Sequence, residues 1–226
     1  MSKTVVILGA SQGIGAALVR YFAALPNTNV VALSRNLAHM QDSFTYNNVQ
    51  CFALDIAKDV HQQIQQLPLN APIDILINNA GLLINKPFAA LTHADFTESY
   101  QVNVIGIMEA TQALLPKLAT QAHIVNISSM GGFQGSLKFA GLTAYSTSKA
   151  ALCAFTELFA EEYKATNWHM NCLCLGAVQT EMLEAAFPGY IAPTQPAQMA
   201  QFIADFALHS GAFLNGKIIP VSSSNP

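Results

Sequence analysis

The strongest constraint on this chain is a rhythm. Short, unbroken apolar runs recur from one end to the other, and most are followed by a stretch with helical periodicity. The runs fall at residues 4–8, 29–33, 49–54, 73–77, 123–127, 169–173 and 217–221. Helical patterns cover 13–25, 57–67, 93–118, 144–165 and 195–208, the third with a bend expected near Pro116. A strand that is apolar on both faces must be covered on both faces. The alternation therefore predicts an α/β fold: a doubly wound parallel sheet of about seven strands with helices on either side. No linker, repeat or low-complexity segment interrupts the sequence, so residues 1–226 are expected to form a single domain.

Composition excludes several classes. Only 10% of residues are charged, against about 25% in ordinary soluble domains, and 52% are hydrophobic. That rules out a disordered chain and a charged coiled coil. The net charge is −3 without a basic run, so neither nucleic acid nor an anionic membrane is an expected partner. No run approaches the ~20 apolar residues of a spanning helix. Met1-Ser2-Lys3-Thr4 leads into the first strand without a signal-peptide pattern, and a cytoplasmic location is expected. The cysteines are Cys51, Cys153, Cys172 and Cys174, spaced neither as a zinc knuckle nor as a redox Cys-x-x-Cys. They read as reduced, buried thiols. With the histidines scattered, no metal is assigned.

The first apolar run ends in Gly9-Ala10-Ser11-Gln12-Gly13-Ile14-Gly15 and opens a helix. Glycines there permit a tight turn and close approach of the backbone to a pyrophosphate, while the helix N-terminus offers free N–H groups and partial positive charge. The second run ends in Leu33-Ser34-Arg35-Asn36. A site preferring NAD(H) places a carboxylate here to accept from the ribose 2′-hydroxyl. This chain instead offers Arg35, able to pair with a 2′-phosphate, with Ser11 and Ser34 as hydroxyl partners. NADP(H) is thus the expected cofactor, with NAD(H) the less favoured.

Three further motifs follow in order. Ile77-Asn78-Asn79-Ala80-Gly81 closes the fourth run, Ile124-Val125-Asn126-Ile127-Ser128-Ser129 covers the fifth, and Tyr145-Ser146-Thr147-Ser148-Lys149 opens a long helix. Tyr145 and Lys149 are four apart and share a helix face. A free phenol has a pKa near 10, and a neighbouring ammonium lowers it. Tyr145 can then act as general acid in reduction or general base in oxidation. A serine hydroxyl beside it can hold a substrate oxygen as charge develops.

In this order the motifs, together with Asn103-Val104-Ile105-Gly106, resemble the short-chain dehydrogenase/reductase family from Thr4 to about Met182. Residues 216–221 resemble that family's last strand. The resemblance implies a Rossmann fold and an NAD(P)-dependent oxidoreductase that moves hydride between nicotinamide and a carbonyl or secondary alcohol. It assigns the serine role to Ser129 rather than Ser128, and a ribose contact to Lys149. Asn103 becomes the fourth catalytic residue, anchoring a water that passes protons to Lys149. By the same resemblance Asp55 meets the adenine, and Asn79, Ala80 and Gly81 border the adenosine. Val178 and Thr180 hold the nicotinamide amide, and Gly9, Gln12, Gly13, Ile14 and Gly15 form the phosphate turn.

Departures from the pattern carry expectations of their own. Leu8 replaces a usual Thr. Leu175 replaces a usual Pro, which is expected to loosen the nicotinamide-side loop. Ser129 and Tyr145 stand sixteen positions apart, a longer loop than usual. The segment after Thr180 is short, so a more open substrate site with a small lid is expected, and the tail 221–226 lacks the usual Asp-Gly-Gly. Phe133, Phe139, Leu142, Met182, Phe187 and Tyr190 are expected to line an apolar substrate site. The helices around 102–118 and 145–165 are apolar beyond one face, which predicts a homodimer or homotetramer. The leading reading is a carbonyl reductase. The alternative is a catalytically silent NADP(H)-binding regulator or interaction protein of the same fold, against which the intact Ser129, Tyr145 and Lys149 argue.

Overall fold

The computed structural model describes residues 2–222, so the tail expectation for 223–226 lies outside the described residues. The strands are β1 (Lys3–Leu8), β2 (Thr28–Ser34), β3 (Val49–Ala53), β4 (Ile73–Asn78), β5 (Leu118–Ser129), β6 (His169–Leu175) and β7 (Ile218–Val221). The α-helices are α1 (Gly13–Ala23), α2 (Leu37–Ser43), α3 (Val60–Gln65), α4 (His93–Tyr100), α5 (Gly106–Leu114), α6 (Thr143–Glu162), α7 (Glu181–Ala186) and α8 (Pro196–His209). All seven strands form one sheet in the order β3-β2-β1-β4-β5-β6-β7, and every pairing is parallel. The chain builds outward from β1 to β3, then returns to β1's other side at β4. That reversal leaves a crevice beyond the carboxyl ends of β1 and β4.

The period-two geometry of a strand explains the two-sided core. Val5 and Ile7 of β1 face one layer with Leu18 and Phe22 of α1 and Ile203 of α8. Val6 and Leu8 face the other with Ile64 of α3, Ile107 of α5 and Leu152 of α6. Val5, Val6, Ile7 and Leu8 are all fully buried, which is why this run shows no polar alternation. Full burial of a side chain such as Phe22 contributes about 1.5–3 kcal/mol.

Several boundaries differ from the sequence expectation. The stretch 93–118 is not one helix bent at Pro116. It is α4, a π-helical turn Gln101–Ile105, α5, and a closing 3-10 turn Leu115–Lys117. The interruption lies where Gly106 is pressed onto the main chain: a Cβ there would sit 2.0 Å from the Ile56 carbonyl oxygen. Pro116, which lacks an N–H, ends the helix in the 3-10 turn, and β5 begins at Leu118. The helix expected over 57–67 shortens to α3 because Asp59 takes a left-handed φ of 44°. Helix α2 was not expected; Asn36 caps it, accepting from His39 N at 3.1 Å. Leu175 does not loosen its loop. Unlike proline it keeps its N–H, and it continues β6, paired with Ser129 and Val221. Among the described residues, no helix is long and apolar enough to cross a membrane.

Candidate active site

The carboxyl ends of the central strands open into a cleft of about 580 Å³. One half begins at the turn after β1. Gly9 holds φ at +74°, and a Cβ there would lie 2.6 Å from Ala80 Cα. Asn79 Nδ2 donates to Gly9 O at 2.9 Å, so the Asn-Asn-Ala-Gly segment after β4 braces the turn. Gly15 does not line the cleft; it packs beneath it, where a Cβ would fall 2.0 Å from Gly9 O. Gly13 and Ile14 do line it. Gln12, the extended residue before α1, makes no side-chain cap, and the first turn of α1 holds no acid. The leading N–H groups of that helix therefore suit an anion.

At the end of β2, Ser34 Oγ donates to Ser11 Oγ at 2.9 Å. Arg35 is exposed at the rim of the cleft, and its guanidinium has no hydrogen bond or ion pair among the described residues. Asp55, following β3, accepts from Ala57 N at 3.0 Å and also lines the cleft. Gly81, Val178 and Thr180 line it from the β4 and β6 sides. Thr180 caps α7, a helix the sequence reading missed, by accepting from Leu183 N at 3.2 Å. Glu181 was missed too: a Cβ on Gly13 would lie 3.4 Å from its carboxylate, beside the positive end of α1. An acid directly after a capping threonine was the available signal.

The other half holds Ser129, Tyr145 and Lys149. Close packing of β5's exit against α6 brings them together, since a Cβ on Gly132 would lie 2.6 Å from the Lys149 carbonyl carbon. Ser129 ends β5, accepts from Gly131 N at 3.2 Å, and neighbours the Tyr145 phenol, on whose pKa it acts. Ser128 is turned into the structure and donates to Lys149 O at 2.8 Å. Lys149 is buried, donates to Ile127 O at 2.9 Å, and has its Nζ 6.0 Å from the Tyr145 ring centroid.

The electrostatics differ from the expectation of a lowered phenol pKa. Burial pushes Tyr145 up, with the neighbouring Ser129 hydroxyl pulling the other way. Burial also pushes the Lys149 amine down to about 8, against the opposing influence of three nearby cysteine sulfurs. In the chain by itself the ammonium binds a backbone carbonyl rather than the phenol, so desolvation prevails over charge pairing.

Asn103 sits in the π-helical turn and is fully buried. Its Oδ1 accepts from Leu82 N at 2.7 Å, and its Nδ2 donates to Leu82 O at 2.9 Å and to Ser148 Oγ at 2.9 Å. The side chain thereby clamps the residue after Gly81. A Cβ on Gly81 would meet Lys149 Nζ at 3.2 Å and Asn103 Oδ1 at 3.3 Å, so the three groups do converge.

The remaining wall of the cleft includes Met130, Phe139, Leu142, Met182, Phe187 and Tyr190. Phe133 is not among its walls; it packs against Met130 and Cys153 behind them. The short segment after Thr180 is anchored at both ends. Gln179 N donates to Thr194 O at 2.9 Å, and Asn85 Nδ2 donates to Ala186 O at 2.8 Å.

Comparison with known proteins bears on this arrangement. A sequence model described as short chain dehydrogenase matches residues 3–190. The ketoacyl reductase HetN of Nostoc sp. is 36% identical over 193 residues, which cover 80% of this chain and 65% of that relative's length. BdcA in complex with NADPH superposes with a TM-score of 0.85 at 24% identity, covering 99% of this chain and 94% of that one. A 3-ketoacyl-(acyl-carrier-protein) reductase from Brucella melitensis complexed with NADH gives 0.85 at 21% identity, covering 97% and 96%. These two structures have the same fold as this chain.

Proposed function

The chain belongs to the short-chain dehydrogenase family, and on that premise we propose that it is an NADP(H)-dependent oxidoreductase acting on an apolar carbonyl compound or the matching secondary alcohol. One observation carries the reading. A single cleft joins the uncapped N-terminus of α1 to the wall bearing Ser129, Tyr145 and Lys149. The glycine turn, the bare N–H groups of α1 and the Ser11–Ser34 hydroxyl pair fit a dinucleotide. When bound, the nicotinamide supplies or accepts the hydride.

The chain's own groups handle the proton. Tyr145 Oη gives it to the substrate oxygen during reduction and takes it back during oxidation. Ser129 Oγ donates a hydrogen bond to the same oxygen and stabilises the charge that develops there. Lys149, whose one bond to protein goes to Ile127 O among the described residues, has N–H groups to spare for a ribose. Asn103 is a positioning residue that fixes Leu82 and so the wall beside Lys149.

Arg35 supports NADP(H): it is exposed, unpaired among the described residues, and follows a strand end without a carboxylate. Arg35→Glu should weaken NADPH about 10–100-fold, as expected for losing a charge-assisted bond, with NADH little changed. Equal losses for both would remove the 2′-phosphate assignment. A second copy of the chain is the partner that suits the outer faces of α5 and α6, where Leu158 is 69% exposed and Met108 42%.

The decisive experiment follows NADPH oxidation over aldehydes, ketones and diketones, with Tyr145→Phe alongside. Turnover reduced at least about 100-fold in the variant, with nucleotide binding retained, is the expected result. Tight NADPH binding without turnover on any carbonyl would favour a silent regulator.

A further inference from the structure

One turn beyond Lys149 on α6, Cys153 meets Cys172 and Cys174, which stand two residues apart on one face of β6. The spacing along the sequence hid this group because one member comes from a helix and two from a strand. Cys172 and Cys174 are 0% exposed, and Cys153 is buried beside them. The Cys153 sulfur lies 3.9 Å from that of Cys172 and 3.6 Å from that of Cys174, and all three sulfurs fall within 4.8 Å of one another. Met130, Phe133 and Ile218 pack around them. The polar neighbours are Ser128 Oγ at 3.6 Å and the Lys149 carbonyl oxygen at 3.4 Å from the Cys153 sulfur.

We propose that Cys153, Cys172 and Cys174 form a three-sulfur site for one soft, thiophilic metal ion, with Cu(I) as its occupant. Geometry is the first reason. Metal–sulfur bonds of about 2.3 Å put ligand sulfurs roughly 3.8 Å apart in a tetrahedral set and roughly 4.0 Å apart in a trigonal one. The observed 3.6 and 3.9 Å are close to those values. A disulfide instead needs two sulfurs at about 2.0 Å and leaves the third idle. Ligand number is the second reason. Structural zinc takes four ligands, and among the described residues no fourth His, Cys, Asp or Glu atom joins these three. An all-thiolate, apolar surround selects a soft ion that accepts three-coordination. Binding exchanges the thiol protons for the ion and releases them to solvent, with no change of oxidation state. The Lys149 ammonium offsets the negative charge of the resulting centre. The site stands apart from the reading of the cleft and does not depend on it.

The test is an anaerobic titration of the reduced full chain with Cu(I) against a chromophoric Cu(I) chelator. One ion per chain is expected to resist the chelator, with thiolate-to-copper charge-transfer absorption and an X-ray absorption spectrum of three sulfurs at about 2.3 Å. Cys153→Ser should lose that ion, and Cys51→Ser should keep it, because Cys51 lies on β3, away from the cluster. No chelator-resistant copper in the wild type, two-sulfur coordination, or loss of the ion in Cys51→Ser would each overturn the proposal. Those wild-type and Cys51→Ser outcomes decide it even where a buried-cysteine variant fails to fold.

Discussion

Two buried nitrogen bases lie toward opposite ends of β5, and they are treated differently. His123, toward the amino end, is 6% exposed; Lys149, packed against the carboxyl end, is 4% exposed. Burial depresses both, His123 to about 4 and Lys149 to about 8. The histidine is nevertheless finished: Nδ1 donates to Ala207 O at 2.9 Å, and Nε2 accepts from Asn171 Nδ2 at 3.0 Å. Its neutral tautomer is fixed by partners on both sides. Among the described residues the lysine makes one bond, to the backbone, and lines a cleft with donors left over. A shifted pKa therefore does not by itself tell these two bases apart. Unspent bonding capacity facing a cavity does.

Lys149→Met should sharpen that contrast most. Turnover should fall about 100-fold or more, while the thermal midpoint holds or rises, because an apolar side chain replaces a buried charge. A large fall in melting temperature would make Lys149 a structural residue and break the comparison.

The histidine should behave in reverse. Its folded-state pKa lies below the value of about 6.5 it has when unfolded, so the folded state resists protonation. The stability it allows is present above pH 6.5 and is lost as pH falls through about 4. Unfolding measured by denaturant from pH 7 to pH 4 should show a loss of about 3 kcal/mol from this group. His123→Gln should remove that portion of the pH dependence. At pH 7 the same variant should cost about 1–2 kcal/mol by disturbing the bonds to Asn171 and Ala207, with turnover per folded molecule unchanged. Lost turnover at full stability would count against a purely structural histidine.

The sheet was legible in the sequence because buried parallel strands advertise themselves as unbroken apolar runs. Each of the seven strands lies within a few residues of its expected place, apart from the start of β5. That start was hidden because Ala119, Thr120 and Gln121 carry no apolar run. Short capped helices such as α2 and α7 were missed because six or seven residues give too little periodicity, and only their caps speak for them. The residue types that line the cleft were legible in the motifs, but the partners of Asn103 were not. Its partners Leu82 and Ser148 come from distant segments, and nothing local in the chain pairs them. The thiol cluster was invisible for the same reason.

The contact of Gly132 with α6 has a consequence for variation. It fixes the exit of β5 against the helix before the loop 133–142 begins, and α6 fixes the far end at Tyr145. The distance between the serine and the tyrosine is thus set independently of how much chain runs between them. Residues can be added or exchanged in that loop, which supplies Leu137, Phe139 and Leu142 to the cleft wall, without moving Ser129 or Tyr145. The wall of the cleft can then vary while the pair at its floor keeps its geometry.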